Sequence, residues 1–357
     1  MKRLLLALHV LLVTSMAAQA QGEPERVRQI RKMYADAKEQ IARNGKEGMA
    51  PLDLKIVVNN AEEVSEDFSL DNTTELTFYF NKFRINSELD YPDASSCYFV
   101  TENWTSNGHL RYREVFFDPN EGTLLFSYMH GETDAGFVVE SRYYYDSEEK
   151  LIWQQHKVGG EVATPNAHDW TTPEGDKELA QHYMEIFDEL MNYKHQPAAE
   201  ATVGSQRATS PLAKRLSFIR TNYAQSKEKA SENLKSDTPH NIQIVVRDQT
   251  WGPPQTIETS LYFDKSCYLI TEHNHHNDMG PDSYSEYLFA PQSTDLIFSY
   301  TCAQEEGQKF EWRYYYDENG KCIEVKSDME EHDSGAADKK TARRYLDIFK
   351  KLLDLAV

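Results

Sequence analysis

Apolar residues recur at steps of three and four in four stretches of the chain, and each stretch predicts an amphipathic helix. Val27, Ile30, Tyr34, Ala37 and Ile41 form the first stripe, and Leu212, Leu216, Ile219, Tyr223 and Ala230 form its later counterpart. Pro24 and Pro211 stand near the two starts, where a missing N–H costs nothing. Leu179, Tyr183, Ile186, Phe187 and Leu190 make another stripe, echoed by Tyr345, Ile348, Phe349 and Leu352. Between the helices the period falls to two. Strand-like runs lie near 54–58, 74–80, 97–104, 110–118, 123–131, 137–146 and 151–158. Turn-rich breaks such as Asp118-Pro-Asn-Glu-Gly122 separate them, and loops this short make neighbouring strands antiparallel.

These elements occur twice in the same order. Ile30-Arg31-x-x-Tyr34-Ala35-x-x-Lys38-Glu39 matches Ile219-Arg220-x-x-Tyr223-Ala224-x-x-Lys227-Glu228. Cys97-Tyr98-Phe99-Val100-Thr101-Glu102 matches Cys267-Tyr268-Leu269-Ile270-Thr271-Glu272, and Arg142-Tyr-Tyr-Tyr-Asp146 recurs letter for letter at Arg313-Tyr-Tyr-Tyr-Asp317. The fold class expected is therefore α+β, as two tandem homologous modules. Each is an antiparallel β-meander of about seven strands flanked by an N-terminal and a C-terminal helix. Module 1 spans 21–193 and module 2 spans 211–357, with a linker over 194–210 that contains Gln196-Pro197 and Gly204-Ser205. The first module also inserts Asn81 to Ser96 between two strands, with no counterpart in the second.

The first residues change the picture. Met1-Lys2-Arg3, the apolar run Leu4 to Val13 and the small-x-small Ala18-Gln19-Ala20 have the layout of a cleavable signal peptide over 1–20. No Cys follows the run to serve as a lipid-attachment site, and no later stretch is long enough for a transmembrane helix. A secreted or periplasmic location is expected, without membrane insertion. Removing Lys2 and Arg3 from 38 basic residues leaves 36 against 58 acidic ones, a net charge of −22. That surface repels phosphate backbones, so nucleic acid is not an expected partner. Four cysteines, Cys97, Cys267, Cys302 and Cys322, allow three full pairings, among which the sequence does not choose. In a meander Cys302 and Cys322 fall two strands apart.

Alternation then sorts side chains for candidate chemistry. Phe137, Val139, Tyr143 and Tyr145, like Phe310, Trp312, Tyr314 and Tyr316, are expected to face the helices. On the other side, Glu114, Ser127, Arg142 and Tyr144, repeated as Glu286, Ser299, Arg313 and Tyr315, could form a polar ligand-binding face across three strands. The plainer account of the same residues is a solvated face with a cross-strand ion pair. His273, His275, His276 and Asp278 could gather on a borderline metal, although the first module has no equivalent. No nucleophile elbow, phosphate-cradling glycine loop or zincin helix is present, and no cofactor is expected.

Trp312-Arg313-Tyr314-Tyr315-Tyr316-Asp317-Glu318-Asn319-Gly320-Lys321 resembles the Tyr-Asp hairpin signature of YD-repeat proteins. The first copy keeps Arg142-Tyr-Tyr-Tyr-Asp146 but carries Glu149 where that signature has Gly. The resemblance implies a hairpin and carries no function. Taken together, the sequence points to a non-enzymatic, exported binding or inhibitor-like protein for a protein, peptide or glycan ligand. The alternatives are a secreted hydrolase using carboxylates and a structural envelope component.

Overall fold

The computed structural model describes residues 24–44, 46, 52–60, 62–65, 68–70, 73–83, 94–106, 108–133, 136–163, 172–191, 210–236, 239–248, 255–276, 282–291, 293–305, 308–327 and 335–355. The signal segment 1–20, nearly all of the linker and the middle of the insertion lie outside them. The described chain is mixed α+β, with four helices and one antiparallel sheet of 15 strands. The helices are α1 (Glu25–Arg43), α2 (Pro173–Met191), α3 (Ser210–Asn233) and α4 (Ala336–Leu355).

The first half of the sheet runs as a meander through β1 (Asp53–Asn60), β4 (Thr73–Phe83), β5 (Ala94–Ser106), β6 (His109–Phe117), β7 (Leu124–Glu132), β8 (Val138–Tyr145) and β9 (Leu151–Val158). A short β10 (Glu161–Val162) closes that edge, and β2 (Glu62–Ser65) with β3 (Phe68–Leu70) forms a separate ribbon. The second half repeats the meander through β11 (His240–Asp248), β12 (Gln255–Phe263), β13 (Cys267–His276), β14 (Asp282–Phe289), β15 (Leu296–Glu305), β16 (Gln308–Tyr316) and β17 (Cys322–Ser327).

The halves join edge to edge. β1 pairs antiparallel with β11 over eight residue pairs, with Ile56 opposite Ile244. Each half thereby covers the open edge of the other, which removes a row of unpaired backbone groups that would otherwise invite aggregation. Arg247 grips Asp53 through two hydrogen bonds of 2.8 and 2.7 Å, and Asn59 donates to Asn241 at 2.7 Å across the same seam.

Helices cover both faces of this sheet. On one face α2 and α4 lie side by side, linked by His182 to the Lys351 carbonyl at 3.0 Å, over a core that runs through both halves. On the other face α1 seals Tyr98, Phe99, Phe116, Phe126 and Tyr144, while α3 seals Tyr268, Leu288, Phe298 and Tyr315. The alternation read from sequence therefore needs a correction. Tyr144 and Tyr315 do not face solvent, because each half has a second amphipathic helix that needs an apolar surface to bury. Tyr143 and Tyr145 do pack under α2, whereas Phe137, expected with them, is 55% exposed at the start of its hairpin.

The repeated hairpin shows how the terminal Asp of Arg-Tyr-Tyr-Tyr-Asp works. Asp146 Oδ1 accepts from the backbone N–H groups of Glu148 and Lys150, and Asp317 Oδ1 accepts from those of Asn319 and Lys321. Both turns need a left-handed residue, supplied by Gly320 at φ 72° and by Glu149 at φ 55°. Glu149 is compensated there, since its carboxylate accepts from Leu124 N at 3.0 Å and lies 3.4 Å from Lys177. A Cβ on Gly320 would meet nothing, so Gly320→Ala isolates the conformational strain. It is expected to cost about 1 kcal/mol in urea unfolding; no loss would mean the turn relaxes.

All four cysteines are free. Cys302 pairs with Glu311 and Cys322 with Tyr316, so β16 lies between them. Cys97 and Cys267 are buried, and desolvation raises both thiols well above their ordinary pKa. Ellman's reagent without reductant is expected to count four thiols in denaturant, and to leave Cys97 and Cys267 unreacted in the native protein. Two thiols in denaturant would reveal a disulfide.

Candidate functional site

The residues singled out by alternation divide between the two faces. Register places Val115 opposite Ser127 and Ser127 opposite Tyr143, so Ser127 lies on the α2 side. Glu114, Tyr128 and Arg142 align in the row on the α1 side. The second half repeats this, with Tyr287, Ser299 and Tyr314 in one row and Glu286, Tyr300 and Arg313 in the other. The expected Glu-Ser-Arg-Tyr face does not form, because strand pairing shifts the serines to the opposite side. A tyrosine, not a serine, stands between glutamate and arginine, and each guanidinium rests 5.3 Å from that ring's centre, Arg142 on Tyr128 and Arg313 on Tyr300.

Both serines bind a carboxylate at the start of a C-terminal helix. Ser127 Oγ donates to Asp176 at 2.6 Å, and Ser299 Oγ donates to Asp338 at 2.5 Å. The third tyrosine of the repeated pentapeptide helps fasten the same corner: Tyr145 donates to the Pro173 carbonyl at 3.0 Å and Tyr316 to the Gly335 carbonyl at 3.1 Å. These are anchors for α2 and α4, and Ser127 and Ser299 are fully buried.

Glu114 and Glu286 sit in matching cages beneath the N-terminal helices. Tyr34 donates to Glu114 Oε2, while Tyr112 and Lys38 Nζ, the latter at 2.5 Å, donate to Oε1. In the other half Tyr223 donates to Glu286 Oε2, and Tyr284 and Lys227 Nζ, again at 2.5 Å, donate to Oε1. Burial, followed by the nearby carboxylate, pushes the Tyr34 and Tyr112 hydroxyls well above their ordinary pKa, so they remain donors. Sequence reasoning found the two glutamates but missed their partners. Tyr and Lys four residues apart, present in both α1 and α3 and adjoining the apolar stripe of each, were the available signal.

Beyond the cages the halves part company. In the first, Arg31 donates to the Tyr144 hydroxyl at 3.1 Å and lies 5.4 Å from the centre of that ring and 5.3 Å from Trp153. Trp153 meets Tyr144 edge-on at 5.2 Å, and Arg142 is held by Gln155 at 2.8 Å. In the second, Glu324 takes the place opposite Tyr315 that Trp153 takes opposite Tyr144, and Lys326 faces Arg313 where Gln155 faces Arg142. A pocket of ≈310 Å³ opens there. Ile219, Arg220 and Tyr223 line it from α3, and Phe298, Tyr300, Arg313 and Tyr315 from β15 and β16. Two of the residues proposed from sequence, Arg313 and Tyr315, are thus brought together in one cavity. Arg220, Tyr223 and Tyr300 join them from positions the strand pattern did not mark.

At the histidine cluster, His273 and His275 are exposed, with ring centres 5.8 Å apart and nearly parallel. Burial and the neighbouring His275 lower the pKa of His273. The His276 side chain and Asp278 lie outside the described residues, and among the described residues no three His, Cys, Asp or Glu side chains converge as a metal site requires.

Compared with known proteins, the chain matches no family model, no curated protein and no solved structure.

Proposed function

We propose that this is an exported binding protein made of two copies of one α+β module, in which the second copy carries the ligand pocket. The observation that carries the reading is the contrast between two otherwise matched grooves. The groove under α1 is filled by Arg31 and Trp153, and the groove under α3 stays open between Arg220, Arg313 and three tyrosines. A concave site with an aromatic lining and a few convergent charged groups is the usual form of a small-ligand site. Duplication supplies the contrast: one copy keeps the closed, stabilising arrangement and the other is released to bind.

The hydrolase reading gains no support from the buried carboxylates. Burial raises the Asp176 pKa above its ordinary value, but this side chain, on the first turn of α2, is buried against the sheet and bonded to Ser127. Export is supported by the N-terminal pattern of residues 1–20 and predicts a mature chain beginning at Gln21.

Thermal-shift screening of the mature protein tests the pocket, using amino acids, short peptides, mono- and disaccharides and small aromatic acids as probes. Arg313→Ala is expected to abolish the shift given by any hit, and Arg142→Ala to leave it. A shift that survives Arg313→Ala, or is lost in Arg142→Ala alone, would place the ligand elsewhere.

A further inference from the structure

We infer that the open pocket takes a planar aromatic ring bearing a carboxylate; this rests on the second copy being the ligand-binding one. The first half acts as an internal template. There an indole, that of Trp153, meets Tyr144 edge-on at 5.2 Å with the Arg31 guanidinium 5.3 Å from its ring. The second half keeps the tyrosine as Tyr315 and the guanidinium as Arg220, and lacks the ring because Glu324 occupies that register position. A ligand ring restores the missing layer. Phe298 presents its ring 5.1 Å from Tyr315 and 5.0 Å from Tyr223, an apolar, tilted floor suited to a flat partner.

Charge selects the substituent. In the first half Arg31 is engaged by Tyr144 and Trp153, whereas Arg220 is exposed and has no hydrogen-bond or ion-pair partner among the described residues. Arg313 gives one nitrogen to Glu311 but its side chain is 41% exposed, and Lys326 stands opposite it in the register. Two guanidiniums thus line the pocket and no carboxylate does, on a chain of net charge −20, while Lys326 lies 3.6 Å from Glu324 beside it; that lining suits an anion. Glu324 Oε2 is buried without a hydrogen-bond partner among the described residues, on the same side of the sheet as Tyr315. The ring that the first half sets against its tyrosine is the indole of Trp153, which makes indole the ring of choice for a probe. At ≈310 Å³ the cavity is of a size for one bicyclic ring and a short acidic arm.

Isothermal titration with indole-3-acetate tests this directly. One equivalent is expected to bind. Arg220→Ala, a surface change that leaves the core intact, and the uncharged probe indole-3-ethanol are each expected to weaken binding about tenfold or more. Glu324→Trp, which rebuilds the closed arrangement of the first half, is expected to abolish it. No binding at millimolar probe, or equal binding of indole-3-ethanol, would overturn the ligand class. Binding of N-acetylglucosamine instead, blocked by Glu324→Trp, would overturn the ligand class and leave the pocket standing. Indole-3-acetate binding unchanged in both Arg220→Ala and Glu324→Trp would overturn the ligand class and the pocket together.

Discussion

Arg113→Met is expected to destabilise the protein by about 3–5 kcal/mol at neutral pH, the usual cost of stripping one partner from a buried ion pair. Arg113 donates to Glu102 at 2.8 Å, and its Nε lies 3.8 Å from Asp176 Oδ1; all three side chains are nearly inaccessible to water. Removing the guanidinium leaves two carboxylates buried between α2 and the sheet with no cation between them. The second half shows that the fold needs this cation only where burial is complete. Ser285 stands in the position of Arg113, and there Asp338 and Glu272 are both partly exposed.

The loss in Arg113→Met carries a pH signature. Burial raises the Asp176 pKa in the folded state, and Arg113 opposes that rise. A folded-state pKa above the unfolded one means that protonation favours folding. This contribution is fully present below the unfolded value of about 3.9 and is lost as pH rises through the folded value. Without Arg113 the folded value moves further up, so acidification from pH 7 toward pH 5 returns part of the lost stability. Urea titrations at both pH values check it; an equal gap between wild type and variant at each pH would refute the assignment of the cost to uncompensated carboxylates.

The meander, the four helices and the turn positions were legible in the sequence because each follows from a local period. What alternation could not settle was which face is free. Tyr143, Tyr144 and Tyr145 are all buried, a run with no polar side, and such a run signals a sheet covered on both faces. Two amphipathic helices per half were the corresponding clue, since each stripe needs its own apolar surface. The grouping of Glu114 with Ser127 failed for a different reason. Facing across three strands depends on register, here Val115 opposite Ser127 and Ser127 opposite Tyr143, and register is set by turn geometry that composition does not encode. The joining of β1 to β11 was equally hidden. Both read as ordinary strands, and only assembly shows that the edge each leaves bare is covered by the other. The pocket itself depends on a difference between the two halves, Trp153 against Glu324, and matching the halves by their shared residues passes over such positions.

Glu114→Ala is expected to be the other large loss, again about 3–5 kcal/mol, because one deletion orphans three donors at once. Tyr34 and Lys38 belong to α1 and Tyr112 to β6, so the carboxylate is the polar pin that fixes the helix on the sheet. Glu114→Gln, which keeps two polar atoms in the same volume, recovers part of the loss. Glu286→Ala in the matching cage is expected to cost less, about 1–3 kcal/mol, since Lys227 can turn to water. Its side chain is 42% exposed against 22% for Lys38. Urea unfolding ranks the three variants, and a loss below about 1 kcal/mol for Glu114→Ala would show that α1 is held by its apolar stripe alone. The second cage also bears on binding. Tyr223 both donates to Glu286 and lines the pocket, so loosening it moves a wall of the cavity. Glu286→Ala is therefore expected to weaken a ligand held by Arg220 and Arg313 although Glu286 does not line the pocket, whereas Glu114→Ala, despite its larger effect on stability, is expected to leave the affinity of the folded protein unchanged.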